Sequence, residues 1–407
     1  MSNMPNISAA AEGSQAPEKP ASLSPALWRL LSLQGMMNAS HFMAMPLLAV
    51  YCTTALSMSA SSTGFMLAVY FLAARVTPIA VAPFADRYGL WPAVVLGLLL
   101  RGAGFLGLTY GADETFTYLL AAALGLGTSI YEAGAYGVIG VQEQKIRERL
   151  IVLNAQSLNI GCVAGPLAGA GLAVFDLALP MLLSGILFLA LGLWAILERA
   201  PELRTHVKQS VAASYGSLLA DKPYLLLCLA LVPWWALFAQ LFAAFPLEAA
   251  TRGGNGSWAS SVLIVNGVVG FLVLFLVPAM IRAIGPLKLI FAALATGGIS
   301  VAGVGPASGL LELLVLVALF SCAEIAVLTS SEILVGRHAG GQAVATYFAV
   351  FNMSWGLGGA LGGAVGPLVA EAGGTSSWLW LGSIALVSMA GLALYRMMVP
   401  SKILQDV

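Results

Sequence analysis

Twelve runs of apolar residues follow one another along the chain and fix what it can fold into. An α-helix needs roughly 20 apolar residues to cross the hydrocarbon core of a bilayer. A helix also satisfies its own backbone polar groups, which find no water there. Each run is therefore predicted to be a transmembrane helix. The predicted spans are residues 26–51, 61–82, 92–110, 116–139, 150–175, 178–198, 223–246, 258–281, 286–304, 310–334, 343–370 and 378–398.

Composition agrees with an all-α membrane protein. The 407 residues are 59% hydrophobic and only 9% charged, whereas about a quarter of a soluble domain is charged. The net charge of zero argues against a nucleic-acid partner. The lipid bilayer is the expected surrounding, and the scattered cysteines are expected to be buried thiols rather than a disulfide framework.

Lysine and arginine are placed very unequally between the two sides of the predicted membrane. With the amino terminus in the cytoplasm, only Arg252 falls on the opposite side, while Arg75 and Arg101 fall within spans; the other 15 of the 18 basic residues are cytoplasmic. Cytoplasmic loops are enriched in these residues. Both termini are therefore predicted to be cytoplasmic, in a multi-pass protein of the plasma (bacterial inner) membrane.

The longest polar break divides the twelve spans into six and six. The predicted organisation is a disordered cytoplasmic tail at 1–24, an N-terminal six-helix bundle at 25–198, a cytoplasmic linker at 199–222, a C-terminal six-helix bundle at 223–398 and a cytoplasmic tail at 399–407. Two such halves often arise as repeats. Gly165-Pro166 in span five and Gly366-Pro367 in span eleven support a repeat here.

Span five carries a stripe of small residues. Gly161, Gly165 and Gly169 are four residues apart, so they share one helix face and allow a neighbouring helix to approach closely. Pro166 lacks an N–H, which predicts a bend at this point. Close helix packing is sufficient to explain the stripe.

This pattern resembles the fifth-helix antiporter motif, G-x-x-x-G-P-x-x-G-G, of proton-coupled drug exporters in the major facilitator superfamily, with Ala170 as the departure. The resemblance implies two six-helix bundles that work by alternating access. It also implies proton-coupled export, as an antiporter, of a small amphipathic molecule. The bent helix would then seal one end of the transport path.

The loop after span two resembles the same superfamily's signature G-x-L-x-D-R-x-G-R-R. Asp86, Arg87 and Gly89 match, whereas Leu90 and Trp91 replace the basic pair. These three matching residues are predicted to form a conformational latch, in which a charge at a helix end is paired in one facing state and free in the other. An ordinary capped turn is the alternative.

Four ionisable residues stand out deep within the spans, where a charge costs about 2.5–3.5 kcal/mol on insertion scales. Arg75, Arg101 and Glu132 lie at similar predicted depth and are expected to form a buried cluster, either a structural ion pair or a substrate site. Glu324 lies in span 310–334, which contains no Lys or Arg. A buried carboxylate without a partner favours its protonated form, so Glu324 is the first candidate for proton coupling and Glu132 the second.

Other polar and aromatic residues are candidates for the cavity wall. Gln34, Asn38 and His41 share one face of span one, which is suited to binding substrate or protons, or to hydrogen bonding between helices. Trp234 and Trp235 in span seven could line the cavity for flat or cationic ligands. Packing or lipid contact is the alternative for both tryptophans.

Several classes of function have no support in the sequence. No Gly-Lys-Ser/Thr phosphate loop, metal-ligand spacing or nucleophile elbow is present, so we expect no enzyme, no cofactor and no metal. The expected partners are protons and a small-molecule substrate, bound by a monomer. Because Arg75 and Arg101 make the first half positive, a narrow transporter of an anionic metabolite such as a siderophore, in either direction, is an alternative. A membrane receptor that transports nothing is another.

Overall fold

The computed structural model describes residues 23–78, 80–81, 88–110, 113–140, 142–198, 218–339, 344–400 and 403. Within these ranges the chain forms twelve long helices and no β-strand. They are α1 Pro25–Val50, α2 Ala60–Arg75, α3 Leu90–Leu108, α4 Glu114–Gly140, α5 Gln144–Ala173, α6 Ala178–Leu197, α7 Lys222–Phe238, α8 Ala259–Leu274, α9 Pro286–Gly303, α10 Leu310–Ala339, α11 Val344–Ala372 and α12 Gly374–Met398. A π-helical turn at Tyr51–Ala55 extends α1.

Nine helical segments in the described ranges are long and apolar enough to cross a membrane. Large apolar side chains such as Ile160, Leu193 and Ile299 are exposed along α5, α6 and α9. In water such a surface would be a liability, whereas in a bilayer it faces lipid tails. The fold is therefore that of an integral membrane protein.

Prolines shorten three of the predicted spans. α2 ends at Arg75 rather than 82, because Pro78 disfavours helical geometry at the residue before it. α7 ends at Phe238 and a short helix, Ala244–Gly253, follows; the ring of Pro246 would clash with the Phe242 carbonyl in a continuous helix. α8 stops at Leu274, four residues before Pro278, and the short helix Val277–Ile284 follows.

Helix packing repeats from one half of the chain to the other. In the first half α3 packs on α4 and α6, α1 on α5 and α6, and α2 on α4. In the second half α9 packs on α10 and α12, α7 on α11 and α12, and α8 on α10, which is the same set shifted by six helices. The two bundles meet where α2 contacts α11 and where α8 contacts α5. These two contacts are also related by the shift of six, so the bundles are pseudo-symmetric.

Two glycine turns mark equivalent points of this repeat. Gly89, immediately before α3, has φ 110° and ψ 141°. Gly285, immediately before α9, has φ 81° and ψ 156°. Residues with a side chain rarely adopt a positive φ of this kind. Each turn therefore depends on glycine to reverse the chain between the second and third helices of its bundle.

The glycine stripe of α5 packs against α1 within the same bundle. A Cβ built at Gly169 would lie 2.2 Å from the Met43 carbonyl oxygen, and one at Gly165 would lie 2.6 Å from that of Ala39. α11 repeats this arrangement against α7, where a Cβ at Gly362 would lie 2.1 Å from the Ala236 carbonyl oxygen. Pro166 is accommodated inside α5, which continues to Ala173. The stripe thus ties each bundle together.

Some predictions fall on residues outside the described ranges. They concern the tail at 1–22, the loop at 82–87 with Asp86 and Arg87, the linker at 199–217, and residues 401–402 and 404–407 of the second tail.

Candidate functional site

The carboxylate of the first bundle is held in an ion pair. Arg75 Nη1 on α2 donates to Glu132 Oε2 on α4 at 2.9 Å, with 24% and 28% of the two side chains exposed. The same guanidinium lies 4.4 Å from the ring centroid of Trp355 on α11. Arg75 therefore neutralises Glu132 in its own bundle and contacts the other bundle through an aromatic face.

Arg101 makes its direct contacts with other residues than this pair. Its side chain on α3 is 2% exposed, and its Nη1 donates to the Met37 sulfur at 3.0 Å. The guanidinium lies 4.4 Å from the Phe188 ring centroid. No ion pair joins Arg101 to another residue in the described ranges. Of the three charges predicted to cluster, the structure thus brings two into contact and turns the third toward α1 and α6.

The polar stripe of α1 faces other helices of the first bundle. Gln34 Nε2 donates to Asn154 Oδ1 on α5 at 2.6 Å, and the Tyr131 hydroxyl on α4 donates to Gln34 Oε1. Asn38 donates to the Ser157 hydroxyl at 3.4 Å. The first two contacts tie α1, α4 and α5 together, as buried polar groups require.

His41, one turn further along α1, has a different environment. Its ring centroid lies 5.2 Å from that of Phe42 and 6.4 Å from that of Phe105. Its buried Nδ1 has no hydrogen-bond partner among the described residues. His41 Nδ1 therefore keeps hydrogen-bonding capacity that no residue in the described part of the chain uses.

The carboxylate of the second bundle has a neutral partner. Asn266 Nδ2 on α8 donates to Glu324 Oε2 on α10 at 2.8 Å and lies 3.1 Å from the Ser321 hydroxyl. Glu324 is 7% exposed, and no cation pairs with it in the part of the chain that the structure describes. It lies near the middle of α10, so it is far from either helix end.

The Glu324 site borders the contact between the two bundles. Gly267 follows Asn266 on α8, and a Cβ there would lie 3.1 Å from the Cys162 carbonyl oxygen on α5. The antiporter-like segment of α5 therefore contacts α1 through its glycines and α8 at Cys162. A movement of one bundle against the other would change the surroundings of Glu324.

The two carboxylates occupy equivalent helices but have different partners. In each bundle the fourth helix supplies the carboxylate and the second helix supplies the donor. The donor is the guanidinium of Arg75 in the first bundle and the amide of Asn266 in the second. A cation offsets the charge of Glu132, whereas an amide leaves the charge of Glu324 uncompensated.

α10 is longer than predicted and includes a basic residue. It runs to Ala339, so Arg337 belongs to the same helix as Glu324, contrary to the predicted span that ended at 334. Thirteen residues of helix separate them, or roughly 20 Å. Arg337 Nη1 donates to the Ile403 carbonyl at 2.9 Å. The basic side chain therefore contacts the C-terminal residues and does not reach Glu324.

The two tryptophans of α7 have different roles in packing. Trp234 stacks on Phe320 of α10 at 5.4 Å, inside the second bundle. Trp235 lies 5.6 Å from Trp355 of α11, beside the residue that Arg75 contacts. Adjacent helix residues point about 100° apart, so the two indole rings have different neighbours. Of the two, Trp235 is near the boundary between the bundles.

Sequence reasoning missed Asn266 and the cluster at the ends of α7, α10 and α12. Asn266 is an amide in a largely apolar run, and a search for charged residues alone does not find it. In the cluster, His338 Nδ1 lies 2.9 Å from Asp221 Oδ2 and His338 Nε2 lies 3.0 Å from the Tyr395 hydroxyl.

Of the three residues of the predicted latch, only Gly89 lies in the described ranges, where it immediately precedes α3.

Residues 30–363 match the family model described as the Major Facilitator Superfamily. The chain belongs to this superfamily. It is therefore a membrane transporter, built on two pseudo-symmetric six-helix bundles.

Curated relatives carry names that indicate drug resistance. "Multidrug resistance protein MdtH" of Klebsiella pneumoniae (strain 342) is 24% identical over 358 residues, which is 86% of this chain and 89% of that protein. The protein of the same name from Aeromonas hydrophila subsp. hydrophila is 30% identical over 216 residues, which is 53% of this chain and 54% of that protein. The second alignment thus spans about half of the relative's length.

Solved structures share the fold. The nucleoside transporter NupG superposes with a TM-score of 0.75 at 13% identity, covering 92% of this chain and 100% of that one. At this identity the likeness concerns the fold alone. It agrees with the twelve-helix arrangement of the transporter described above.

Proposed function

We propose that this transporter exports a small amphipathic molecule in exchange for protons. In this proposal both termini lie in the cytoplasm of a bacterium, and one chain in its inner membrane carries out the exchange without a cofactor. The superfamily and the names of the curated relatives support export. Proton exchange rests on the chain's own carboxylates.

The observation that carries the proposal is the environment of Glu324. A buried carboxylate whose partner is a neutral amide is costly to keep charged in a low-dielectric interior. Closing the bundles around it favours the protonated form, whereas opening to water on one side allows the proton to leave. Protonation and conformation are then linked, as alternating access requires.

Glu132 has the second place in this mechanism. Its carboxylate pairs with the guanidinium of Arg75, whereas the partner of Glu324 is a neutral amide. If Glu132 takes up a proton, Arg75 loses its ion-pair partner. The guanidinium then keeps its contact with the Trp355 ring. Protonation of Glu132 would therefore act on the α2–α11 contact between the bundles.

Glycines allow α5 to pack tightly against α1. Because Gly161, Gly165 and Gly169 hold α5 against α1, these two helices would move as one body. The side of α5 that meets α8 then transmits the movement to the neighbourhood of Asn266 and Glu324. This proposal gives the antiporter-like motif a role in coupling as well as in packing. The latch of Asp86, Arg87 and Gly89 would bias the two facing states from the cytoplasmic side.

Transport in reconstituted vesicles tests the proposal. A pH gradient is imposed, a panel of amphipathic dyes is added, and dye movement is followed together with proton movement by an internal pH indicator. Dye transport should depend on the gradient and should be accompanied by protons. Glu324→Gln should abolish both, and Glu132→Gln should reduce them. Glu312→Gln is the matched control, since Glu312 is an exposed carboxylate on the same helix.

Two results would remove the mechanism. The first is dye transport that ignores the gradient in the unsubstituted protein. The second is gradient-driven transport that survives both Glu324→Gln and Glu132→Gln at the level of the Glu312→Gln control.

A further inference from the structure

Arg101 is a buried cation that has no ion-pair partner among the residues that the structure describes. Its side chain is 2% exposed, and its Nε has no hydrogen-bond partner among the described residues. Its Nη1 reaches only the thioether of Met37 within those ranges, and a thioether is a weak acceptor. Charged side chains are almost never fully buried unless they are paired. The described residues therefore provide no anion to balance the charge of Arg101.

The guanidinium is held in a fixed place by close packing. Gly127 of α4 faces it, and a Cβ there would lie 2.9 Å from Arg101 Cγ. The ring of Phe188 on α6 lies 4.4 Å from the guanidinium carbon, and that of Tyr131 on α4 lies 6.0 Å away. The cation is thus bordered by aromatic surfaces on two sides, and its position is set before any ligand arrives.

A second unused polar group borders the same aromatic wall. Phe105 stacks on Phe188 at 5.7 Å, and the His41 ring lies 6.4 Å from Phe105. His41 Nδ1 and Arg101 Nε are both buried, and neither has a hydrogen-bond partner within the described ranges. Two nitrogen groups with free hydrogen-bonding capacity therefore lie along one wall made by α1, α3 and α6.

Arg75, Arg101 and Glu132 together carry a net charge of +1. Glu132 is the carboxylate of this bundle that lies at the predicted depth of Arg101, and its charge is offset by Arg75 at 2.9 Å. Arg101 is then the uncompensated member of the three. An incoming anion would meet a net positive interior, which focuses attraction on this point.

We propose that Arg101 binds the carboxylate of the transported molecule, and that the substrates are amphipathic aromatic carboxylates. The Nε edge of a guanidinium offers two parallel donors that match the two oxygens of a carboxylate. The rings of Phe188 and Phe105 offer a surface for the aromatic part of the same molecule. This inference rests on the proposed transport function and narrows its substrate class. The ligand reaches Arg101 when the helices around it part during the transport cycle.

Matched pairs of probes test the charge requirement. 2-Naphthoate and 2-naphthamide share a ring system and nearly the same size but differ in charge, and 2-quinolinecarboxylate with its amide is a second pair. Binding to the purified protein in detergent is measured from the ligand-dependent rise of the thermal unfolding temperature. Each acid should bind about tenfold or more tightly than its amide, as expected for hydrogen bonds to a charged group.

Substitutions locate the effect. Arg101→Gln should abolish the preference for the acid, and Arg101→Lys should weaken it, because an ammonium group lacks the planar pair of donors. Arg29→Gln is the matched control, since Arg29 pairs with Glu198 at an exposed helix end. Equal binding of acid and amide by the unsubstituted protein overturns the inference. An unchanged preference in Arg101→Gln or, where that variant does not fold, in Arg101→Lys also overturns it.

Failure of this inference is distinguishable from failure of the transport proposal. Binding is measured without a proton gradient, so it does not depend on coupling. Glu324→Gln should keep the preference for the acid while losing gradient-driven flux. Flux that depends on Glu324 together with no preference for acids would reject the substrate class and leave proton exchange in place.

Discussion

The guanidinium of Arg75 lies 4.4 Å from the ring centroid of Trp355, and this contact crosses the boundary between the two bundles. Around this contact the backbone of α11 packs closely against side chains of α2. A Cβ at Gly356 would lie 2.5 Å from Arg75 Cβ, and one at Gly359 would lie 2.9 Å from the Phe71 ring. The cation and the aromatic face therefore lie in a contact that the proposed alternating access would loosen. Their attraction stabilises the conformation seen here.

Replacement of Trp355 is expected to shift the balance between conformations. Trp355→Leu removes the aromatic face, at a cost of about 1 kcal/mol to the closed contact, which is about a fivefold change in population. Spin labels on α2 and α11, with distances measured by double electron–electron resonance, would show a larger open fraction. Trp355→Phe keeps an aromatic face, so its open fraction should be intermediate between those of the unsubstituted protein and Trp355→Leu. Identical distance distributions in all three proteins would show that the contact has no conformational role.

The glycine stripe of α5 allows a prediction about stability. Gly169→Ala places a methyl group 2.2 Å from the Met43 carbonyl oxygen, so α1 and α5 must separate, at a cost of about 1–3 kcal/mol. Gly171→Ala on the same helix meets nothing within 4 Å and should leave stability unchanged or slightly raised. Thermal unfolding in detergent compares the two variants. Equal unfolding temperatures would mean that α1 does not pack on this stripe.

Hydropathy alone was sufficient to predict the twelve helices and their division into two sets of six. The reason is physical, because every segment that crosses lipid must be apolar for about 20 residues and must satisfy its own backbone. Internal breaks were harder to predict. Pro78, Pro246 and Pro278 end or interrupt helices within apolar runs, and hydropathy does not register them.

The site was only partly predictable. Glu132, Glu324 and Arg75 were identified as ionisable residues within spans, but their partners depend on which helices are neighbours. Asn266 meets Glu324 because α8 packs on α10, and a sequence without its contacts does not give this pairing. Arg101 was expected in contact with Glu132, whereas its guanidinium donates to the Met37 sulfur of α1.

The different partners of the two carboxylates lead to a prediction about coupling. Asn266→Lys would give Glu324 a cation, as Arg75 gives one to Glu132, and would hold the carboxylate in its charged form. Gradient-driven flux in vesicles should then fall at least about tenfold. Asn266→Leu is the control without a cation, and it should keep more flux than Asn266→Lys. Equal flux in both variants would show that charge at this position does not matter.

Arg252 is the basic residue predicted to lie on the non-cytoplasmic side, and its contacts give it a structural role. Its Nε pairs with Glu248 at 2.8 Å, while its Nη1 and Nη2 donate to the carbonyls of Ala307 and Val304 at 2.7 and 2.9 Å. Those carbonyls follow the end of α9, where backbone acceptors have no helical donor.

Arg252→Gln is therefore expected to destabilise the second bundle. It leaves at least one of these acceptors and Glu248 without a donor, at a cost of about 1–3 kcal/mol. Arg252→Lys keeps the charge but cannot serve three acceptors in one plane, so its loss should be smaller. Thermal unfolding in detergent measures both losses of stability. Binding of 2-naphthoate in preference to 2-naphthamide checks that the first bundle is intact. Should Arg252→Gln unfold at the same temperature as the unsubstituted protein, the three contacts contribute nothing to stability, and the positive charge on that side needs another explanation.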